Sequence, residues 1–361
     1  MTNRGRVGLL PRMPTLDAES YLGFMESVRN QAIRGMFPGV AADAEAARER
    51  STRAPLAATA TATAPALRAF LREADAVPRI ATWKRLMRSQ QQHTWWRLRD
   101  EFHRDAAAYE AALEAAERAR PGRLRYDPGF VVPPYARLDI HLQPGGYVGD
   151  PLAGYLFHHG TQVFYQGDND QDQLHRQVVD MVPVPDPGPV HRVLDVGCSI
   201  GQCTTLLKQR FPQAEVTGLD VGLPLLRYAN KRAQELDIDV QFLQALAEDT
   251  GLPDGQFDIV LCYILFHEVP SKLFGPILAE AFRVLRPGGT LTIVDAPNAQ
   301  EFAAGNRLWL QFDAEYNCEP YSPAFVACDL AGLLRVAGFE VTSQGPTPTF
   351  LHCTTARRPA P

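Results

Sequence analysis

The sequence is poor in the features that mark secreted, membrane-spanning and metal-binding proteins. Its 361 residues include six cysteines, which are scattered and lack the C-x-x-C or cysteine–histidine spacing of a metal site. No run of about 20 apolar residues occurs, and the apolar stretch near the N-terminus is too short for a signal-peptide core. We therefore expect a reduced, cytoplasmic protein with no metal ion and no membrane partner.

An excess of positive charge is also absent. The 36 Lys and Arg residues against 41 Asp and Glu give a formal net charge of -5, and no basic block is interleaved with aromatic residues. Nucleic acid is therefore not expected as a partner. With 45% hydrophobic and 21% charged residues, the composition is that of a globular protein, and the chain is long enough for two domains.

The stretch Val193–Gln202 predicts a strand, a tight turn and a helix. A β-branched and aliphatic run leads to Gly197, and an amphipathic segment begins after Gly201. Glycine suits such a turn because it accepts backbone dihedrals that a Cβ forbids and lets a ligand approach the main chain closely. The turn is therefore the predicted ligand site.

The spacing within this turn argues against a dinucleotide. A pyrophosphate site needs G-x-G-x-x-G, whereas Gly197 and Gly201 enclose three residues with Ser199 in the middle. Asp195, just inside the strand end, would repel a phosphate but suits an ammonium or sulfonium group. Asp220 closes the next strand, where a carboxylate can accept both ribose hydroxyls of a nucleoside. NAD enzymes share that last feature, so Asp220 indicates a nucleoside without choosing one.

Strands and helices alternate from residue 193 to the C-terminus. Further strands are predicted at 215–220, 240–246, 257–264, 290–296 and 349–355, with helices between them. Such alternation is typical of a doubly wound parallel sheet that binds ligands at the carboxyl ends of its strands.

Three segments together resemble a known family. The run from Asp195 to Gly201 resembles motif I of the class I S-adenosylmethionine (SAM) methyltransferases, D-x-G-x-G-x-G, and departs from it only at Ser199. Leu252–Val260 and Arg283–Leu291 resemble the family's segments into its fourth and fifth strands. The chain is identified as a member. The resemblance implies a Rossmann-like α/β fold with a seven-stranded sheet whose last strand is antiparallel, and SAM as cofactor with S-adenosylhomocysteine (SAH) as product.

The resemblance also implies where SAM binds. Asp195, Gly197 and Gly201 would hold the methionine end and Asp220 the ribose. The family commonly has an acid after its third strand for the adenine amine, but here Leu246 holds that position, and the acids Glu248 and Asp249 follow two and three positions later; a surface acid pair is the alternative. The predicted cofactor-binding residues are Asp195, Gly197, Cys198, Ser199, Gly201, Asp220, Val221, Ala247 and Glu248.

The candidate for proton transfer follows the fourth strand of this domain. His267, within Tyr263–Pro270, resembles the L-H-D/E segment of small-molecule O-methyltransferases, in which the histidine deprotonates a hydroxyl. Many family members keep this histidine without using it as a base, so a positional role stays open. Glu268 and Tyr263 are the accompanying candidates. The preference for oxygen as the methylated atom rests on His267.

Residues before 191 are expected to cover the site. Helical spacing predicts a helical accessory domain over 1–123, and 124–190 is predicted to be an irregular lid or substrate wall ahead of the SAM-binding domain 191–361. The lid segment is rich in polar residues, including His141, His159, Tyr165 and His175; a packed linker is the alternative. An insertion over 298–325 is expected to wall the acceptor pocket, with a capping helix as the alternative. The predicted substrate residues are Tyr165, His159, Trp309, Glu315, Tyr316, Asn317 and Tyr321.

These features predict methyl transfer to a small organic acceptor, with oxygen preferred, in natural-product or secondary metabolism. The [D/N]-P-P-[Y/F] motif of base-modifying enzymes is absent after the fourth strand, and no Pro-Cys pair for cytosine-C5 chemistry exists. Two alternatives stay open: a peptide or protein methyltransferase that docks substrates on its N-terminal region, and a binding protein of this fold without turnover. A homodimer formed through the N-terminal helices is the expected assembly.

Overall fold

The computed structural model describes residues 4–51, 64–186, 188–298 and 303–360. Its centre is one twisted sheet with helices on both faces. The strands are β1 Arg6–Val7, β2 Leu10–Pro11, β3 Leu124–Arg125, β4 Arg192–Val196, β5 Glu215–Asp220, β6 Gln241–Gln244, β7 Phe257–Tyr263, β8 Leu285–Asp295, β9 Glu340–Pro346 and β10 His352–Arg357.

The helices alternate with these strands in the C-terminal half and precede them in the N-terminal half. They are α1 Leu16–Asn30, α2 Phe37–Ser51, α3 Ala64–Asp75, α4 Pro78–His103, α5 Ala106–Ala119, α6 Ala153–Phe164, α7 Gln173–Asp180, α8 Gln202–Arg210, α9 Leu223–Glu235, α10 Phe274–Val284, α11 Ala304–Tyr316, α12 Ser322–Val326 and α13 Leu330–Val336. A π-helical segment, Gln31–Met36, joins α1 to α2.

The sheet order is β3-β6-β5-β4-β7-β8-β10-β9. Strands β3 to β8 are parallel, and β10 is antiparallel to both β8 and β9. The predicted Rossmann-like α/β fold with an antiparallel last strand is confirmed. The sheet has eight strands rather than seven, because β3 adds a short edge beside β6. A two-residue strand has no periodic pattern for the sequence to reveal.

The sheet is buried on both faces, as parallel sheets require. Val193 and Leu261 face the cluster that includes Leu207 of α8, whereas Leu194 and Val260 face the opposite cluster with α10. Alternate side chains of one strand point to opposite faces, so each strand fills both cores. Because β4, β5 and β7 run parallel to one another, their carboxyl ends lie together at one edge of the sheet.

The N-terminal helices pack directly against that edge. One apolar cluster joins Leu22 of α1, Leu98 of α4 and Leu156 of α6 to Ile200 and Tyr228 of the sheet region. The segment 124–190 contains helices α6 and α7 in addition to turns, so it is less irregular than predicted. The domain boundaries themselves and the homodimer stay predictions. Within the described ranges, no helix has an apolar stretch long enough to cross a membrane.

Candidate active site

The turn after β4 places its two glycines in different surroundings. Both have left-handed backbones, with φ 74° at Gly197 and 75° at Gly201. A Cβ on Gly201 would lie 2.8 Å from the ring of Phe242, so this glycine is needed for packing of α8 on the sheet. Gly201 is not among the described residues that line the cavity, and its predicted contact with the methionine end of the ligand stays a prediction. Gly197 lines the cavity at the sheet edge, where its missing Cβ faces Leu265.

Asp220 at the end of β5 is fixed by main-chain donors. Its two carboxylate oxygens accept hydrogen bonds from the amides of Ser199 and Gly222, both at 2.8 Å. Burial raises the pKa of Asp220 to about 6 although these hydrogen bonds oppose it. Asp220 and Val221 line the same cavity as Gly197, and each carboxylate oxygen retains a lone pair for a ligand hydroxyl.

Asp195 forms the floor of the cavity below the turn. Thr204 donates a hydrogen bond of 2.6 Å to its carboxylate. Burial raises the pKa of Asp195 to about 7, and the charge of Asp220 adds to that rise. Across the described part of the chain, neither carboxylate forms an ion pair. Two buried acids without a cation are costly, and a positively charged ligand would relieve that cost.

Unpaired polar atoms belong to Ser199, which lines the cavity, and to Glu248, which contacts the lining residue Tyr135. The Oγ of Ser199 and the Oε2 of Glu248 are buried and find no hydrogen-bond partner among the described residues. Tyr135, which lines the cavity, donates a hydrogen bond of 2.8 Å to the other oxygen of Glu248. Cys198 lines the cavity too, while Ala247 packs on the edge of the core. Such unsatisfied acceptors mark positions where ligand donors fit.

Beyond the turn, the cavity opens into a chamber walled by aromatic rings. Tyr165 follows α6, Tyr263 ends β7, and their side chains hydrogen-bond to each other. Burial raises the pKa of Tyr165 to about 12, so it stays a neutral phenol at ordinary pH. Besides Tyr135, the tryptophan, tyrosine and phenylalanine residues that line the cavity are Trp95, Tyr147, Phe157, Phe164, Tyr165 and Tyr263.

His267 is held in an ion pair behind the chamber. Its Nδ1 lies 2.5 Å from the carboxylate of Asp295, which also accepts the amide hydrogen of Phe266. Burial alone would lower the pKa of His267, but Asp295 and the nearby glutamates raise it to about 9. The ring therefore carries a proton at neutral pH. The ion pair favours the positional role, and His267 is not among the described residues that line the cavity; its role as general base stays a prediction.

Glu268 lines the chamber and joins two imidazoles. Its Oε1 lies 3.5 Å from Nε2 of His141 and 4.0 Å from Nε2 of His267, and it accepts a hydrogen bond of 3.1 Å from Tyr147. On its far side, His141 pairs with Glu319 through Nδ1 at 2.8 Å. Charges thus alternate along the ion chain Asp295, His267, Glu268, His141 and Glu319.

Several predicted substrate residues lie away from the chamber. His159 is buried in α6 and turns its two ring nitrogens to the carbonyls of Tyr155 and Pro11, each at 2.9 Å. Trp309 belongs to an aromatic cluster with Phe37 and Trp83. These residues build the helical core, because α6 and α11 use one face each for packing. Neither is a chamber residue, contrary to prediction.

The other predicted substrate residues of the insertion also lie mostly outside the chamber. Glu315 is exposed and hydrogen-bonded to Gln311, and the ring of Tyr316 packs on Phe312. Tyr321 is half-buried outside the chamber lining. Of the predicted substrate residues in the described part of the insertion, Asn317 contacts the ion chain, donating a hydrogen bond of 3.0 Å to Glu319. The insertion therefore acts mainly as a packed cap, and residues 299–302 of it lie outside the described residues.

Comparison with known proteins assigns the chain to a family. The family model described as "Methyltransferase domain" matches residues 193–289. The demethylmenaquinone methyltransferase of Thermus thermophilus is 35% identical over 166 residues, which are 42% of this chain and 74% of the relative. The trans-aconitate 2-methyltransferase of Rhodopseudomonas palustris is 31% identical over 39% of this chain and 51% of its own length. The chain belongs to the class I SAM-dependent methyltransferase family.

A solved structure is similar in part. A SAM-dependent methyltransferase from Aquifex aeolicus covers 51% of this chain and 89% of its own, with 22% identity and a TM-score of 0.40. SAM is the cofactor of this methyltransferase family member, as predicted. The residues fit it: two uncompensated buried carboxylates suit its cationic groups, and orphaned acceptors suit its donors.

Sequence reasoning missed the partners that complete the site. Asp295 and Tyr147 were not predicted; Glu319 was noticed only among the polar residues of the insertion 298–325, and His141 only as one of many polar residues before β4. Glu319 and His141 are 178 positions apart, so no local pattern joins them. Asp295 ends β8 beside β7, and its position at a strand end was the one signal that could have singled it out.

Proposed function

We propose that this methyltransferase transfers a methyl group from SAM to a small organic acceptor held in the aromatic chamber. The observation that carries the proposal is a single cavity that joins the turn with Gly197 and Asp220 to the chamber with Glu268 and Tyr263. The relatives named for demethylmenaquinone and trans-aconitate support a small-molecule acceptor. Oxygen as the methylated atom and a role in secondary metabolism are parts of this proposal.

In this proposal, each part of the turn has one task. Asp195 and Gly197 hold the methionine end, Asp220 binds the ribose hydroxyls, and Glu248 accepts from the adenine amine. When bound there, SAM would supply an electrophilic methyl group on its sulfonium. Positioning of the acceptor then dominates the rate, because the reacting atoms need only an in-line approach.

On the acceptor side, Tyr165 and Tyr263 form the wall nearest the turn, and Glu268 provides a fixed hydrogen-bond acceptor. Both tyrosines stay protonated, since burial raises their pKa values. Their hydroxyls can donate to an acceptor oxygen and orient it. The rings exclude water from the reaction and provide flat surfaces for an unsaturated molecule.

Calorimetric titration with SAH and with NADH tests the cofactor assignment. We expect micromolar binding of SAH and none of NADH. Asp220→Ala should weaken SAH about 100-fold, because two charge-assisted hydrogen bonds are lost. Asp237→Ala, which removes a fully exposed carboxylate, is the matched control and should bind as the wild type. Absence of SAH binding by the wild type would indicate a fold without methyl transfer.

A further inference from the structure

The outer surface of the N-terminal helices leaves large apolar side chains exposed. Leu16 and Phe24 of α1 are 66% and 61% exposed, and Trp96 of α4 is 52% exposed. Each lies on the side of its helix that faces away from buried residues such as Leu22 and Leu98. Apolar residues scattered singly over a surface are ordinary, whereas a group of them on adjoining helices indicates a binding surface.

The two helices lie side by side and antiparallel, so that their exposed sides form one surface. Thr15, just before α1, donates a hydrogen bond of 2.7 Å to Glu101 near the end of α4, and Gln90 donates one of 3.3 Å to the carbonyl of Met25. All three exposed apolar side chains lie between these two contacts along the helices. The α1–α4 face is defined by the exposed residues Leu16, Phe24, Arg85, Arg88, Trp96 and Arg99.

The α4 part of this face is basic although the chain as a whole is acidic. With six Lys and Arg against two Asp and Glu, α4 has a net charge of +4, compared with -5 for the whole chain. Within the described ranges, the exposed arginines of α4 that form no ion pair are Arg85, Arg88 and Arg99. Ser89 and His93 lie exposed between them. The exposed carboxylates of the two helices are Asp17, which is paired with Arg97, and Asp100.

A second copy of this chain does not match these charges. A two-fold contact brings the same surface from both partners, so three unpaired arginines and one carboxylate would meet an identical set. Like charges that face each other destabilise such an interface. The residues between the apolar side chains of α1 are small, namely Ser20, Gly23 and Ser27. The apolar side chains therefore protrude and can enter a soft apolar layer without a matching pocket.

We propose that the α1–α4 face binds the surface of an anionic lipid bilayer. Leu16, Phe24 and Trp96 enter the boundary between head groups and acyl chains, where an indole ring is favoured by its apolar body and polar N–H group. The three arginines stay at the level of the lipid phosphates. The inference is independent of methyl transfer. The net charge of the whole chain concealed this surface and led to the expectation of no membrane partner.

Docking through this face brings the acceptor chamber close to the lipid. Trp95, the neighbour of Trp96 along α4, is buried and lines the chamber. An α-helix with its side chains is about 10–12 Å thick. The chamber therefore lies about one helix diameter from the bilayer surface.

Sedimentation with lipid vesicles tests the proposal on the full chain. One set of vesicles contains equal parts of phosphatidylcholine and phosphatidylglycerol, and the other contains phosphatidylcholine alone. We expect binding to the anionic vesicles and about 100-fold weaker binding to the neutral ones. Binding to the anionic vesicles should weaken as the ionic strength rises from about 0.01 M to about 1 M, because the Debye length falls from about 30 Å to about 3 Å.

Two triple variants distinguish the face from overall charge. Each arginine near an anionic surface favours binding about fivefold, so loss of the three arginines of the face should weaken binding about 100-fold. This variant carries the substitutions R85Q, R88Q and R99Q. The control removes the same charge from exposed residues of other elements and should bind as the wild type; it carries R118Q, K272Q and R357Q. Titration with SAH confirms that both variants are folded.

Tryptophan fluorescence measures insertion directly. Of the four tryptophans, Trp83 and Trp95 are buried, and Trp309 packs in an aromatic cluster. Lipids with brominated acyl chains should therefore quench Trp96, and Trp96→Phe should still bind but lose this quenching.

Four results would overturn the proposal. They are failure of the wild type to bind anionic vesicles, equal binding to neutral vesicles, equal weakening in the two triple variants, and absence of quenching. A dimer in light scattering that Trp96→Asp dissociates would assign the face to a second copy and overturn the proposal as well. None of these results bears on methyl transfer.

Discussion

The two ends of the cavity are built in contrasting ways. At the cofactor end, Asp220 is held by the amides of Ser199 and Gly222, and Asp195 is held by Thr204, all within 21 positions along the chain. At the acceptor end, Glu268 accepts a hydrogen bond from Tyr147, which is 121 positions away, and pairs with the more distant His141. The cofactor end is thus a property of one βαβ unit, whereas the acceptor end depends on how the N-terminal helices dock.

This difference separates the part of the cavity that binds the cofactor from the part that selects the acceptor. A turn made by contiguous residues folds whenever the sheet folds, so its chemistry is shared by a family with one cofactor. Side chains that come from separate helices can be exchanged without disturbing the sheet. The acceptor end is consequently where one member of the family differs from another.

The largest expected effect comes from breaking a buried ion pair that ties α7, in the segment before β4, to α9 beside the sheet. Asp172 at the start of α7 pairs with Arg232 of α9 and accepts a hydrogen bond of 2.6 Å from Gln202 of α8. Arg232→Met leaves the buried Asp172 carboxylate without its cation and should lower the free energy of unfolding by about 3–5 kcal/mol. Urea unfolding followed by circular dichroism measures it.

Arg34→Met is the control for this experiment. It removes an ion pair with Asp168 in which both side chains are more than half exposed, and it should cost less than about 1 kcal/mol. Equal losses in the two variants would show that the buried pair stabilises the fold no more than the exposed one.

The next largest effect distinguishes the two glycines of the turn. Gly201→Ala combines a left-handed backbone with a clash against Phe242 and should lower the free energy of unfolding by about 2–4 kcal/mol. Gly197→Ala faces the more yielding side chain of Leu265 and should cost about 1–2 kcal/mol. SAH affinity should suffer more in Gly197→Ala. The reverse ranking in urea unfolding would contradict the packing role of Gly201.

A smaller effect concerns the ion chain at the acceptor end. The pKa values of His141 and His267 are raised from 6.5 to about 10 and about 9. The folded state therefore binds protons that the unfolded state releases. This stabilisation is complete below pH 6.5 and is lost as pH rises through 9 to 10. When pH rises from 7.5 to 8.5, the loss of this stabilisation should lower the free energy of unfolding by about 1.4 kcal/mol for each of the two rings.

Urea unfolding at those two pH values measures the slope. His267→Gln should roughly halve it, because the proton on one of the two rings is removed, and His93→Gln should leave it unchanged. A wild-type stability that is constant between pH 7.5 and 8.5 would mean that the rings are neutral in the folded protein.

The smallest effect belongs to the cofactor end. The pKa values of Asp195 and Asp220 are raised to about 7 and about 6, mainly by burial. A ligand that brings a cation and hydroxyl donors favours the ionised forms, so SAH should bind with release of a fraction of a proton near pH 6.5. The binding enthalpy should then vary with the ionisation enthalpy of the buffer. At pH 8.5 that variation should vanish; persistence there would point to other groups.

The agreement between sequence and structure follows the same division. The alternation of strands and helices, Asp195, Asp220 and the turn were predictable because a period of two or 3.6 residues and a glycine pair are local signals. The roles of His267 and Trp309 were not predictable from the sequence. The sequence around a histidine that follows a strand is the same whether or not a carboxylate on the neighbouring strand pairs with it. An aromatic stripe likewise does not reveal which helix it packs against.

The sequence by itself determined the sheet, its helices, the family and the cofactor, because each is encoded by residues that are neighbours along the chain. Only the tertiary structure decided that Asp295 holds a proton on His267, that Gly201 serves packing, and that His141 reaches the chamber. Those properties depend on electric fields and contacts between distant segments, which act over a few ångströms in space and carry no fixed spacing in sequence.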